Sequence, residues 1–126
     1  MFSFRIAPEL EAIGESRLVI RDALNGWGVD RTLADIVVLL ASELVTNALV
    51  HARPPIELMI DWKDPHLRVG VSDGEDRMPE MVEPPRRADG GYGLHVIEQL
   101  SREWGAARRV GGGKIVWFEL ERRRQT

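Results

Sequence analysis

The chain opens on strict alternation: Phe2–Ile6 reads F-S-F-R-I, apolar at every second position, which predicts a short strand. Pro8 suits a helix start, and Leu10, Ile13, Leu18, Val19, Ala23 and Leu24 then recur near helical spacing as far as Trp27. Asn25-Gly26 and Gly28 close that helix. Asp30 is an N-cap for a second helix running from Arg31 to about His51, and Pro54-Pro55 stop it. Ile56–Trp62 and Leu67–Ser72 alternate at period two around residues 63–66 and predict a β-hairpin. From Gly74 to Gly93 no periodicity survives, and the stretch holds Pro79, Pro84, Pro85, Gly90 and Gly91. A structureless loop of that length inside a compact domain is usually functional. Leu94–Trp104 predicts a third helix, and Gly105–Val110 and Ile115–Leu120 predict two strands joined at Gly111–Gly113. The order β-α-α-β-β-loop-α-β-β groups helices together and pairs strands as hairpins. That predicts an α+β fold, a two-layer sandwich in which a largely antiparallel sheet, with room for mixed pairing, carries helices on one face. It is not the alternation of a Rossmann fold.

Composition narrows the class without naming a function. The chain has 126 residues, enough for one domain with its own core, and neither a repeat nor a linker divides residues 1–126. Hydrophobic residues make up 44% and charged residues 29%, an ordinary globular balance. There is no cysteine, which fits a reducing, cytoplasmic setting and excludes a disulfide framework. Met1–Ile6 is too short for a signal peptide, and no apolar run approaches the ~18 residues of a membrane span, so no membrane partner is expected. The net charge of −3 gives no general attraction to nucleic acid, and no direct nucleic-acid contact is expected. Arg122–Arg124 is the one basic run and reads as a solvated tail.

The second helix changes character along its length. Ile36–Ala41 is apolar in every direction, and from Ser42 a polar arc opens, holding Ser42, Glu43, Thr46, Asn47 and His51. Glu43 and Asn47 are i,i+4 neighbours whose side chains lie one above the other. A solvent-facing arc would be richer in Lys, Arg and Glu. A carboxamide oxygen is a neutral hard ligand for Mg²⁺, and a carboxylate beside it can take a proton from a nucleophile. Asp73, at the end of the second hairpin strand, can reach an amino group in a pocket or simply make the turn that Asp-Gly favours. Gly90-Gly91-Tyr92-Gly93-Leu94 opens the third helix, where backbone N–H groups can approach an anion, although a loop end reads the same way. Other motifs fail. Gly111-Gly112-Gly113-Lys114 lacks the first glycine of a P-loop and is followed by Ile115, and Val96 stands where a dinucleotide fingerprint needs its third glycine. His51, His66 and His95 are isolated, and the serines have no nucleophile-elbow context.

Taken in order, E-L-V-T-N-A-L-V-H-A (Glu43–Ala52), V-S-D-G (Val71–Gly74), G-x-G-L (Gly91–Leu94), R-E-W-G (Arg102–Gly105) and G-G-K-I-V-W-F-E-L (Gly112–Leu120) resemble the GHKL ATPase superfamily. The resemblance covers nearly the whole chain, and it is nearest to the short anti-sigma-factor serine/threonine kinases. It implies ATP and Mg²⁺ as cofactors. Glu43 matches the acidic residue that activates the nucleophile, Asn47 the Mg²⁺ ligand, and Asp73 the carboxylate that binds the adenine amino group. Gly91, Gly93 and Leu94 match the phosphate-holding end of a lid spanning about residues 75–90. Two positions depart from the family: Glu75 stands where a glycine is usual, and Ile115 is matched to a threonine of the last strand.

The resemblance further implies partner switching, with a sigma factor bound in one nucleotide state and an anti-anti-sigma antagonist phosphorylated in another. A nucleotide-dependent binding module without kinase activity is the alternative. An orphan part of a split histidine kinase is a third reading, disfavoured because no phosphoacceptor helix precedes the motifs. The first helix, with Arg17 and Arg21 one turn apart, reads as a solvated face or as a partner surface; the resemblance also admits a homodimer, since dimerisation is common in that family, although no residue of the sequence shows it.

Overall fold

The computed structural model describes residues 1–78 and 91–122. Eight elements follow the predicted order: β1 (Phe2–Ile6), α1 (Ala12–Gly26), α2 (Arg31–His51), β2 (Ile56–Lys63), β3 (His66–Asp73), α3 (Gly91–Leu100), β4 (Glu103–Arg108) and β5 (Lys114–Glu121). The five strands form one sheet in the order β1-β2-β3-β5-β4, and all four pairings are antiparallel.

Alternation along each strand divides the sheet into two faces. In β5, Val116, Phe118 and Leu120 are buried while Ile115, Trp117 and Glu119 are only half-buried. The buried set meets Leu58 and Ile60 of β2, Val69 and Val71 of β3, and the apolar stripes of the helices. Among the described residues the opposite face carries no helix; there the guanidinium of Arg68 lies 4.2 Å over the Trp117 ring. α2 is the centre of the helical layer, packed on α1, α3, β2 and β3. Its 21 residues are long and apolar enough to cross a membrane by composition alone, which corrects the expectation that no segment reaches that threshold. Val37, Leu40, Ala41, Leu44 and Val45 are nevertheless used by the core of this domain.

Two boundaries differ from the periodicity. α1 begins at Ala12 rather than Pro8, because residues 9–13 close i→i+3 bonds, Glu9 O to Ala12 N and Leu10 O to Ile13 N, in place of a helical first turn. α3 starts at Gly91 and ends at Leu100, and Trp104 is a strand residue paired with Phe118. The predicted helix continued to Trp104 because its apolar spacing does. Ladder bonding to β5 and packing on the sheet outweigh that local pattern.

Candidate functional site

The site begins with the polar arc of α2. The helix is capped as predicted, with Leu33 N donating to Asp30 Oδ2 at 3.1 Å. Two residues of the arc are consumed by the helix itself: Ser42 Oγ donates to Leu39 O at 2.9 Å, and Thr46 Oγ1 donates to Ser42 O at 2.7 Å. His51 is exposed in the last turn. That leaves Glu43 and Asn47, both half-buried and one turn apart. Asn47 Oδ1 is buried without a hydrogen-bond donor; among the described residues only Ser72 Oγ shares that condition. A buried acceptor left unsatisfied costs about 1–3 kcal/mol. A carboxamide oxygen held in that state fits a divalent cation, which takes neutral oxygen ligands readily.

The second half of the site is the junction of β3 and β5. Antiparallel pairing sets Asp73 opposite Lys114. By parity both share the face of Val71 and Val116, towards the helices, and they are 4% and 6% exposed. Lys114 Nζ donates to Asp73 Oδ1 at 3.1 Å and to Glu75 O at 3.3 Å, and the Glu75 amide donates to the same Asp73 oxygen at 2.8 Å. Backbone contacts fix this corner from both sides. Gly74 N donates to Arg53 O at 2.6 Å, just past the end of α2, and Gly113 N donates to Asp76 Oδ1 at 2.7 Å. A Cβ on Gly74 would come within 2.6 Å of the Pro54 carbonyl oxygen. A Cβ on Gly113, whose φ is +81°, would overlap the Asp73 carbonyl. The chain after α2, the end of β3 and the β4–β5 turn therefore close on one another only because both positions are glycine.

The two departures read from the sequence take on different meanings here. The side chain of Glu75 turns away from Asp73, with Oε2 at 3.4 Å from Arg53 Nε and Oε1 accepting from Arg77 N. Ile115 lies on the face away from the described helices, against Gly70, and the residue in register with Asp73 is Lys114. The sequence carries a signal for Lys114 that motif matching alone does not reveal: at period two it shares the face of Val116, Phe118 and Leu120, and a cation on an apolar face requires a partner. Gly91, Gly93 and Leu94 fall in the first turn of α3, which starts at Gly91, three residues before the predicted start at Leu94. Their side-chain surroundings and the lid segment 79–90 lie outside the described residues. Of the predicted site, the structure thus sets Glu43 and Asn47 on one helix face and Asp73 where β3 meets the chain leaving α2.

The sequence matches the histidine kinase-like ATPase domain family over residues 6–120. No curated protein matches the chain. Among solved structures it is similar to the histidine kinase domain from the Erythrobacter litoralis blue-light activated histidine kinase, with a TM-score of 0.55 and 23% identity, covering 86% of this chain and 60% of that one. It is also similar to the Erythrobacter litoralis blue-light activated histidine kinase itself, with a TM-score of 0.52 and 29% identity over 70% of this chain and 30% of that one. The chain therefore spans under two thirds of the length of the structures it matches.

Proposed function

The chain belongs to the histidine kinase-like ATPase domain family, and from that premise we propose that it is an ATP-binding regulatory domain that phosphorylates a serine or threonine of a partner protein. The observation that carries the reading is the pair on α2: Glu43 beside Asn47, whose buried Oδ1 has no donor among the described residues, while the neighbouring Ser42 and Thr46 are satisfied within the helix.

In phosphoryl transfer little covalent work falls to the protein, and positioning with charge neutralisation carries the rate. Mg²⁺, when bound, supplies charge neutralisation at the triphosphate. Asn47 would ligate that ion, Asp73 would accept from the base amino group, and the backbone at Gly91, Gly93 and Leu94 would face the phosphates. Glu43 would accept the hydroxyl proton as the serine or threonine oxygen bonds to the γ-phosphorus and the bond to the leaving ADP breaks. The E-L-V-T-N motif supports the anti-sigma type of kinase. On that reading the partners are a sigma factor and its anti-anti-sigma antagonist, the setting is cytoplasmic, and no nucleic acid or membrane is contacted. α1 is the proposed partner surface: Leu18 is exposed there, while Arg21 is already paired to Asp35 of α2 at 2.8 Å.

The test is calorimetric titration of MgATP into the protein beside Asn47→Ala, followed by phosphotransfer to antagonist proteins with Glu43→Gln. Mg²⁺-dependent binding that disappears in Asn47→Ala is expected. Glu43→Gln should keep that binding and lose ~10²–10⁴ in transfer rate, the usual contribution of a positioned base. Loss of binding in a folded Glu43→Gln protein would remove Glu43 from the base role. Binding without transfer in the unmodified protein would leave a nucleotide-dependent binding module.

A further inference from the structure

The two edges of the sheet are protected differently. β4 carries Gly105 in its interior and the exposed charges of Glu103 and Arg108 at its ends, which discourage a further strand. β1 has no such device: Phe2 to Ile6 pair with β2 in unbroken register, without proline, lysine or bulge. Among the described residues no strand lies on its other side. In an antiparallel ladder alternate residues turn both N–H and C=O away from the partner, so β1 presents an open row of donors and acceptors.

Beside that edge is a groove of about 230 Å³ between β1 and α1. Phe4 and Ile6, on the helix-facing side of β1, form one wall, and Ala12, Glu15, Ser16 and Val19 of α1 form the other. The Ser16 hydroxyl donates to Ile13 O at 2.7 Å, so its polarity is spent within α1. A cavity of ~150 Å³ accepts benzene, and drug-sized ligands occupy ~300 Å³ or more, so this groove suits one large apolar side chain. The rim is acidic. Glu15 is exposed on it, Glu9 and Glu11 precede it in the turn entering α1, and no described cation pairs with any of the three. Arg5 is the one cation among the described lining residues.

We propose that the groove between β1 and α1 docks an extended, basic segment of a partner protein. The segment adds a sixth strand at β1, seats one large apolar side chain between strand and helix, and sets a lysine or arginine beside Glu15. A strand added ~4.8 Å from β1 carries alternate side chains on the helix side, over the groove. Main-chain bonds then supply affinity and the groove selects the side chain. This is the β1 side of α1, not the side that exposes Leu18. None of its residues belongs to the nucleotide site, so docking here stands or falls apart from ATP binding.

The probe is a displayed library of random linear peptides, selected on the full chain. Synthetic copies of the recovered peptides are then titrated by fluorescence anisotropy. Recovered peptides should share a large apolar residue with lysine or arginine close by. Replacing that apolar residue by alanine should weaken binding ~10- to 100-fold, the worth of one buried large side chain. N-methylating one alternate set of peptide amides should abolish binding, and methylating the other set should leave most of it, because only one set faces β1. Glu15→Lys, at an exposed position, should weaken binding roughly threefold or more at low salt. Val19→Trp fills the groove and should weaken it at least ~10-fold, with thermal unfolding as the control for folding. If Val19→Trp does not fold, Glu15→Lys and the methylated peptides decide.

No enrichment from the library overturns the proposal. So does binding that ignores both folded variants, or equal loss from the two methylated sets. Self-association of the chain that slows amide exchange along β1 without any peptide also overturns it, since a second copy would then hold the edge.

Discussion

At the α2 end of the site Asn47 keeps a buried carbonyl oxygen without a donor among the described residues, whereas at the strand end the Asp73 carboxylate is taken up by Lys114 and by the Glu75 amide. Both ends are polar and both sit at the edge of one apolar core, yet their energetics run in opposite directions. The unsatisfied oxygen is a standing cost that a ligand can return, so the helix end gains stability only when something binds. The paired carboxylate is already compensated, so the strand end is set in place by the fold before any ligand arrives. Pre-organisation is thus supplied by the sheet junction, and the demand for a ligand by the helix.

That contrast can be broken most severely at the strand end. Asp73→Asn leaves the Lys114 charge buried without its counter-ion and is expected to cost about 3–5 kcal/mol in chemical denaturation, with MgATP binding lost. Gly113→Ala keeps every charge but forces a Cβ onto the Asp73 carbonyl at a φ of +81°. A loss of about 2–3 kcal/mol is expected by thermal unfolding, and wild-type stability would show that the junction can open without cost. The helix end should answer with the other sign. Asn47→Leu removes an unsatisfied acceptor, so apo stability should stay level or rise by up to about 1 kcal/mol while Mg²⁺-dependent binding disappears; a large destabilisation would mean that Asn47 is structural. The smallest effect belongs to Glu75→Ala. Its pair with the exposed Arg53 is worth no more than about 0.5 kcal/mol, and nucleotide affinity should change by less than about threefold. A larger loss of affinity would return Glu75 to the site.

Legibility followed the range of the interactions. α2 was readable to its ends because Asp30 and Pro54-Pro55 punctuate it and its apolar residues leave no alternative to burial. The β2–β3 hairpin was readable because alternation and a short connection are local. The end of α3 was misread, since the apolar spacing of Leu94–Trp104 continues across a boundary that pairing with β5 sets. Within the site, Glu43 and Asn47 were legible as helix neighbours. Lys114 was not, because the residue matched by motif alone was its neighbour Ile115, and one step along a strand reverses the face.

By itself the sequence determined the element order, the α+β class, the core face of α2 and the family motifs, all carried by short-range periodicity and punctuation. Only the tertiary structure decided which polar groups of those motifs are already satisfied. Ser42 and Thr46 are closed within their own helix, and Asn47 is not. Asp73 meets a lysine 41 residues away in the chain. Strand register is a non-local property, and a buried charge acquires its partner only when the sheet has aligned two strands and excluded water from between them.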